Sequence, residues 1–563
     1  MTVENAPRAT SPAEGADGDD GKARHRETLL RALSAIAKRD YWSAFPEVPS
    51  PKIYGETAAA DGLAAFEAHL DTDFPLTAPG STGTVSTERS PYGLRVAVGY
   101  PHIRDLDRLM AAAKAGIPAW RDAGPDVRAG VCIEILERIN ARSFEMAHAV
   151  MHTTGQAFVM AFQAGGPHAQ DRALEAIAYA YAEMTRHPAQ ARWTKPQGKR
   201  DPLVMDKRFT VVPRGVSVVI GCATFPTWNS YPGLFASLVT GNAVVVKPHP
   251  AAVLPLALTV SIAQQVLAEA GFSPALVVLV AEQPGENVAS TLATRPEVRI
   301  VDFTGSTSYG EWLERNATQA QVYTEKAGVN SIVLDSWDDL RAVCRNIAFS
   351  LSLYSGQMCT APQNLLVPRD RAAEVGAELA RALEELLGDD SRAVEVLGAI
   401  VSDDVLARLE KAPSLGDVVV PSRSVTHPAF PDAIVRSPVV LRVDAAEAEV
   451  YDQEQFGPIA FLVTTDSTAQ SLEIWARTAS QHGAITAAVY STDPAVLDAA
   501  ERVAWDAGVA LSCNLTGGVY VNQSAAFSDF HATGANPAAN SCLTDAAYVA
   551  GRFRVVQSRR PVA

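Results

Sequence analysis

Residues 216–247 read V-S-V-V-I-G-C-A-T-F-P-T-W-N-S-Y-P-G-L-F-A-S-L-V-T-G-N-A-V-V-V-K. The runs V-S-V-V-I-G (216–221) and N-A-V-V-V-K (242–247) are short, valine-rich and bounded by turn residues, the pattern of buried strands. Two more runs follow, A-L-V-V-L-V (275–280) and R-I-V-D-F-T-G (299–305). Helical stretches such as L-A-L-T-V-S-I-A-Q-Q-V-L-A-E-A lie between them. Strand and helix patterns alternating at this spacing predict an α/β fold of parallel βαβ units, with helices on both faces. A ligand is then expected beyond the carboxyl ends of the strands.

Upstream, residues 105–190 repeat apolar positions at helical spacing, as in D-L-D-R-L-M-A-A-A-K-A-G-I-P-A-W. Downstream, a second α/β series runs from about 331 to 525, beginning S-I-V-L-D and ending V-A-L-S-C-N-L-T-G-G-V-Y-V-N. Residues 1–25 are rich in Ala, Gly, Pro and Asp and almost free of large apolar groups, the composition of a disordered tail.

The chain has 563 residues, enough for several structural units around a sizeable core. It carries 48 basic and 63 acidic residues, a net charge of −15, which gives no general attraction to nucleic acid or anionic membrane. The longest apolar stretch, 251–263, is too short to span a bilayer and contains a proline. No secretory signal opens the chain, and six cysteines show no CxxC spacing, so free thiols in a reducing, cytoplasmic setting are expected. His148 and His152 stand four apart on a helical pattern, but no third ligand accompanies them. They read as ordinary helix residues, and no metal site is expected.

Chemistry concentrates at strand ends. F-P-T-W-N (225–229) follows the first strand, and F-T-G-S-T-S-Y-G (303–310) is a turn opening a helix whose spare N–H groups suit a pyrophosphate. T-E-K-A-G-V-N-S (324–331) places Glu325 after Q-V-Y-T. Y-S-G-Q-M-C-T-A-P-Q-N (354–364) carries Cys359, either a buried thiol or a nucleophile. In this order, with Lys247-Pro248, E-Q-F-G-P (454–458) and Val521-Asn522, these stretches resemble the landmarks of the aldehyde dehydrogenase superfamily. The resemblance runs from roughly residue 100 to 525. The ending N-Q-S-A-A-F-S-D-F-H-A-T-G-A-N-P-A-A-N and the E-K-A-G-V-N variant resemble a narrower group, the PaaN-type dehydrogenases of phenylacetate degradation.

The resemblance implies a Rossmann-like NAD(P)-binding domain interleaved with an α/β catalytic domain and a small β oligomerisation flap. It divides the chain into a tail (1–25), an N-terminal extension with the cofactor domain (26–192 and 214–327), a catalytic domain (328–546) and an oligomerisation segment (193–213 and 547–563). A homodimer or homotetramer follows from that segment.

It also assigns roles. Cys359 attacks an aldehyde to give a thiohemiacetal, then a thioester after hydride loss. Asn229 and the Cys359 backbone N–H hold the oxyanion. Glu325 activates water, a task that a partly buried Glu with raised pKa would suit. Gly305 and Ser306 meet the pyrophosphate, Glu454 the nicotinamide ribose and Phe456 the nicotinamide, with Trp228 grouped among the cofactor contacts. Lys247 approaches the adenosine ribose. Pro250 stands where NAD-preferring relatives carry a Glu, so no carboxylate repels a 2′-phosphate there, and His249 is placed to assist. The reading leans to NADP, with NAD open.

The implied substrate is the CoA-linked open-chain semialdehyde, 3-oxo-5,6-dehydrosuberyl-CoA semialdehyde, with a separate hydratase for ring opening. Two alternatives stay open: an acylating, CoA-dependent dehydrogenase, against which Glu325 argues, and a non-catalytic scaffold on this fold. Cys222 lies close enough to F-P-T-W-N to be a pocket-wall residue.

Overall fold

The valine-rich runs become strands of one parallel sheet in the computed structural model, which describes residues 17–519, 527, 529 and 531–562. The strands lie in the order Val277–Leu279, Ala243–Lys247, Val216–Ile220, Val298–Thr304, Gln321–Glu325. Every residue of Val216–Ile220 and Ala243–Lys247 is buried, which explains why these strands read as unbroken apolar runs. Strand order reverses between Val216–Ile220 and Val298–Thr304, opening a crevice beyond their carboxyl ends. The two chemistry-bearing turns and Glu325 lie at that end of the sheet.

A second, seven-stranded sheet runs Asp417–Val420, Val439–Asp444, Ile459–Thr465, Asn364–Pro368, Ser331–Leu334, Thr486–Tyr490, Ala510–Cys513. Only the edge strand Asp417–Val420 pairs antiparallel. The segments expected to form an oligomerisation flap pair with each other: Arg200–Pro213 lies antiparallel between Gln190–Gln197 and Phe553–Pro561. Val555 and Val556 on the last strand are more than half exposed.

The first described helix is Asp17–Lys38, so residues 17–25 are helical where composition suggested a tail. The later turns of that helix bury Leu29, Ala32 and Ala35, and this anchored part carries the apolar-poor start with it. His148 and His152 both stack on Phe66, at 5.8 and 5.2 Å between ring centroids, and burial pushes His152 down to about 4. All six cysteines are free thiols. Among the described residues no helix is long and apolar enough to cross a membrane. The Val521-Asn522 landmark lies outside the described residues.

One C-terminal stretch fastens the two large sheets together. Asn540 accepts from the Thr324 N–H at 2.9 Å and donates to the Val322 carbonyl at 3.0 Å, copying a strand partner beside Gln321–Glu325. Asn536 accepts from the Ala484 N–H at 3.1 Å and donates to the Ala484 and Gly508 carbonyls, gripping the other sheet. Lys326 N–H donates to the Ala538 carbonyl at 2.6 Å between these two pins.

Candidate active site

The loop bearing Cys359 is shaped by backbone that few residues adopt. Tyr354, Ser355 and Gly356 have φ of 53°, 51° and 64°. Two of these are not glycine, and such conformations persist only where surroundings hold them. Ser355 Oγ donates to the Gly398 and Arg436 carbonyls, and the buried Tyr354 hydroxyl donates to the Thr154 carbonyl. At Gly356 a Cβ would lie 2.5 Å from the Gly457 carbonyl oxygen, so only glycine lets this loop approach the F-G-P turn. Gln357 fixes the next step, donating to the Ala399 carbonyl and accepting from the Val401 N–H, each at 3.0 Å.

Asn330, the last residue of E-K-A-G-V-N, holds the nucleophile loop from the other side. Its Nδ2 donates to the Cys359 carbonyl at 2.8 Å and the Ala361 carbonyl at 3.0 Å. Its Oδ1 accepts from the N–H groups of Ile485 and Thr486.

Cys359, Glu325 and Asn229 meet, joined by a fourth residue. Glu325 Oε1 accepts from Cys359 Sγ at 3.4 Å and Asn229 Nδ2 at 3.3 Å, and lies 3.0 Å from His531 Nε2. The same Nε2 lies 3.8 Å from Cys359 Sγ. Glu325 Oε2 is buried with no hydrogen-bond partner among the described residues, and Glu325 is one of the residues around a small void of ≈ 10 Å³. Asn229 Oδ1 accepts from Cys222 Sγ at 3.7 Å, which makes Cys222 a wall residue of the site.

Burial foremost, then the Glu325 charge, pushes the Cys359 thiol well up. Glu325 does not carry a raised pKa. Burial alone would raise it, but the His531 charge, hydrogen bonds from His531 and Cys359, and Arg172 outweigh burial and hold it below the usual carboxylate range. Glu325 is therefore an anion at neutral pH. The side-chain polar atoms of Glu325, Cys359 and His531 lie within 4.8 Å of one another, so a carboxylate, a thiol and an imidazole share one cluster.

Cys359 opens onto two chambers. One, of ≈ 760 Å³, is also bordered by Lys247, His249, Gly305, Ser306, Glu454 and Phe456. Ser306 precedes helix Thr307–Asn316, whose first turn has no side-chain cap, leaving its N–H groups for an anion. Glu454 is raised to about 7, by burial first and against the pull of Arg408. This set fits a nicotinamide dinucleotide: an uncapped helix start for the pyrophosphate, and side chains able to accept from ribose hydroxyls.

Lys247, His249 and Trp228 have surroundings that the sequence did not show. Lys247 is ion-paired with Glu282, a chamber residue from the loop after Val277–Leu279, so its ammonium does not face the ribose alone. Burial, with help from Lys247, drops His249 to about 4, leaving it neutral, with its Nδ1 accepting from the Ala251 N–H. Glu282 thus brings a carboxylate into the chamber beside Lys247, where Pro250 offers none. Trp228 is not a wall of this chamber. It lies on the other side of Asn229, edge-on to His531 at 5.1 Å and under the Arg172 guanidinium at 4.9 Å.

The other chamber, of ≈ 670 Å³, has an apolar wall that includes Met160, Phe225, Trp228, Phe349, Leu353 and Met358. Its polar wall carries Glu47, Asp171, Glu395, Asp529 and His168, and no Lys or Arg borders it among the described residues. The N-terminal extension contributes Tyr41, Ser43 and Glu47. Asp171 holds that extension in place, accepting from the Ala44 N–H at 3.0 Å and from Ser43 Oγ.

His531, Asn330 and Glu282 were not singled out by sequence. Each stood in a polar stretch without periodicity, H-A-T-G-A-N, E-K-A-G-V-N and A-E-Q-P-G-E-N, where the side chains themselves were the only sign.

The model of the aldehyde dehydrogenase family matches residues 94–535. A solved NAD-dependent aldehyde dehydrogenase from Burkholderia multivorans superposes with TM-score 0.95 at 59% identity, covering 96% of this chain and 99% of that one. Vanillin dehydrogenase of Pseudomonas fluorescens is 27% identical over 78% of this chain and 87% of its own length. Benzaldehyde dehydrogenase of Pseudomonas putida is 25% identical over 72% and 80%. With the thiol, carboxylate and amide assembled between two chambers, and a family match over most of its length, the chain belongs to the aldehyde dehydrogenase family.

Proposed function

We propose that the chain oxidises an aldehyde to its carboxylic acid at Cys359, with Glu325 as the hydrolytic base and Asn229 as an oxyanion donor. The supporting observation is the meeting of these three side chains where the two chambers join. Aldehyde enters from the ≈ 670 Å³ chamber and Cys359 adds to its carbonyl carbon as the thiolate, its proton lost to solvent and Glu325 left free to act as base. Asn229 Nδ2 turns from Glu325 to the oxygen that gains charge. A nicotinamide bound in the facing chamber supplies the hydride acceptor. Glu325 Oε2, which has no other partner among the described residues, then takes a proton from water as the water attacks the thioester.

NAD is the cofactor this site suits. Glu282 beside Lys247 is placed to accept from two ribose hydroxyls and to repel a 2′-phosphate. The solved Burkholderia relative, described as NAD-dependent, supports the same reading. The substrate implied by the narrower resemblance is an open-chain CoA-linked semialdehyde, its aldehyde end in the chamber and its nucleotide outside. A second reading, a free aromatic or apolar aldehyde, is favoured by the aromatic wall and by carboxylates that repel phosphate. Nicotinamide reduction by purified protein with benzaldehyde, hexanal and a CoA-linked semialdehyde decides between them. A kcat/KM at least roughly tenfold higher for the CoA-linked compound supports the first reading, and equal values overturn it.

A further inference from the structure

His531 is the part of the cluster that the proposed reaction leaves unused. Its Nε2 reaches both the base and the nucleophile, at 3.0 Å from Glu325 Oε1 and 3.8 Å from Cys359 Sγ. The ring is held for this. Trp228 meets it edge-on, and Arg172 backs the Trp228 ring. The residues just after it are pinned to both sheets through Asn536 and Asn540.

Thioester hydrolysis in this site has a difficulty that the geometry exposes. The sulfur must leave in a buried pocket, where burial itself makes a bare thiolate costly, so a proton has to reach it there. Asn229 offers an amide that does not give up a proton. Among the described residues bonded to Glu325 Oε1, the imidazole alone can both give and take one besides the thiol itself.

We propose that His531 is a catalytic residue: its Nε2–H protonates the departing Cys359 sulfur during thioester hydrolysis and is replenished from Glu325. The inference rests on the aldehyde oxidation proposed above. The water oxygen bonds to the acyl carbon, and one water proton goes to Glu325. The C–S bond breaks with its electron pair on sulfur, the His531 imidazolium paired with Glu325 gives its Nε2 proton to sulfur and becomes neutral imidazole, and Glu325 then returns the proton it took to Nε2. Water and thioester become carboxylic acid and free thiol, with imidazolium and carboxylate restored and no oxidant or reductant consumed.

The test compares wild type, His531→Gln and His531→Ala in the full chain. Gln keeps a donor toward Glu325 but carries no proton. Rapid mixing with aldehyde and NAD reads the first turnover, and mass spectrometry reads acyl adduct on Cys359. The expected result for both variants is first-turnover reduction within about threefold of wild type, with a steady-state rate lower by ~10²-fold. Acyl adduct then accumulates, and added imidazole restores part of the rate to His531→Ala. Wild-type steady-state rates without adduct in His531→Gln would overturn the proposal. Equal loss of first-turnover and steady-state rates, without rescue by imidazole, would overturn it too, since a merely structural histidine gives that pattern. A second readout needs no turnover: iodoacetamide alkylation of Cys359 slows severalfold in His531→Ala if Nε2 donates to sulfur, and an unchanged rate counts against it. Failure of the oxidation reading looks different, because then wild type itself reduces no nicotinamide with any aldehyde.

Discussion

Cys359 Sγ and Glu325 Oε1 are 3.4 Å apart, so the acidity of the thiol and the charge of the carboxylate are one coupled property. Glu325→Gln removes a charge that raises the thiol pKa. Alkylation of Cys359 near pH 8 is therefore expected to speed up severalfold, while steady-state aldehyde oxidation falls by ~10²-fold or more through loss of the base. The two opposite responses are read on one protein preparation. Parallel loss of both would show that Glu325 only supports the fold.

The Lys247–Glu282 pair leads to a cofactor prediction. Glu282→Gln is expected to weaken NAD binding and strengthen NADP binding, shifting their affinity ratio by roughly tenfold or more, since a carboxylate that repels phosphate has been removed. Calorimetric titration of the protein with each dinucleotide measures this without catalysis.

Asn330 holds the Cys359 carbonyl and the backbone of Thr486 together. Asn330→Ala leaves several buried backbone groups unpaired, at a cost of about 1–3 kcal/mol. It also frees the nucleophile loop to shift. A lower denaturation midpoint together with a loss of kcat larger than any change in KM is the expected outcome.

Stability should carry a pH signature of its own. Burial first, in each case, raises Asp171, Glu88 and Glu454 to about 7. The folded chain keeps their protons where the unfolded chain has lost them, so it binds more protons between the ordinary carboxyl range and about pH 7. Stability contributed through these groups is then lost as pH rises through that window. Asp171→Asn and Glu88→Gln should each flatten the fall in Tm between about pH 5 and about pH 8 relative to wild type, as differential scanning fluorimetry would record.

The α/β fold was legible because both faces of its central strands are covered. That condition writes itself into sequence as the uninterrupted runs at 216–221 and 242–247. Cys359, Asn229 and Glu325 stood out because each belongs to a short motif at an element end, a turn for Cys359, the first turn of helix Pro226–Val239 for Asn229 and the end of strand Gln321–Glu325 for Glu325. Glu282 and His531 did not, because each is a lone polar side chain in an aperiodic stretch. His531 and Glu325 are 206 residues apart, and nothing local to either records that they touch. The helical reach of residues 17–25 was hidden for the opposite reason. Composition describes a segment alone, whereas this one continues a helix anchored further along.

The two asparagine pins on the 531–540 stretch have a consequence for regulation by motion. Asn540 rides with the sheet that bears Glu325, and Asn536 rides with the sheet that follows the nucleophile loop. Any sliding of one sheet against the other must therefore stretch or release the segment that presents His531. Under the proton role proposed for His531, the two pins would act as an interlock, passing protons between base and sulfur only while both sheets are seated.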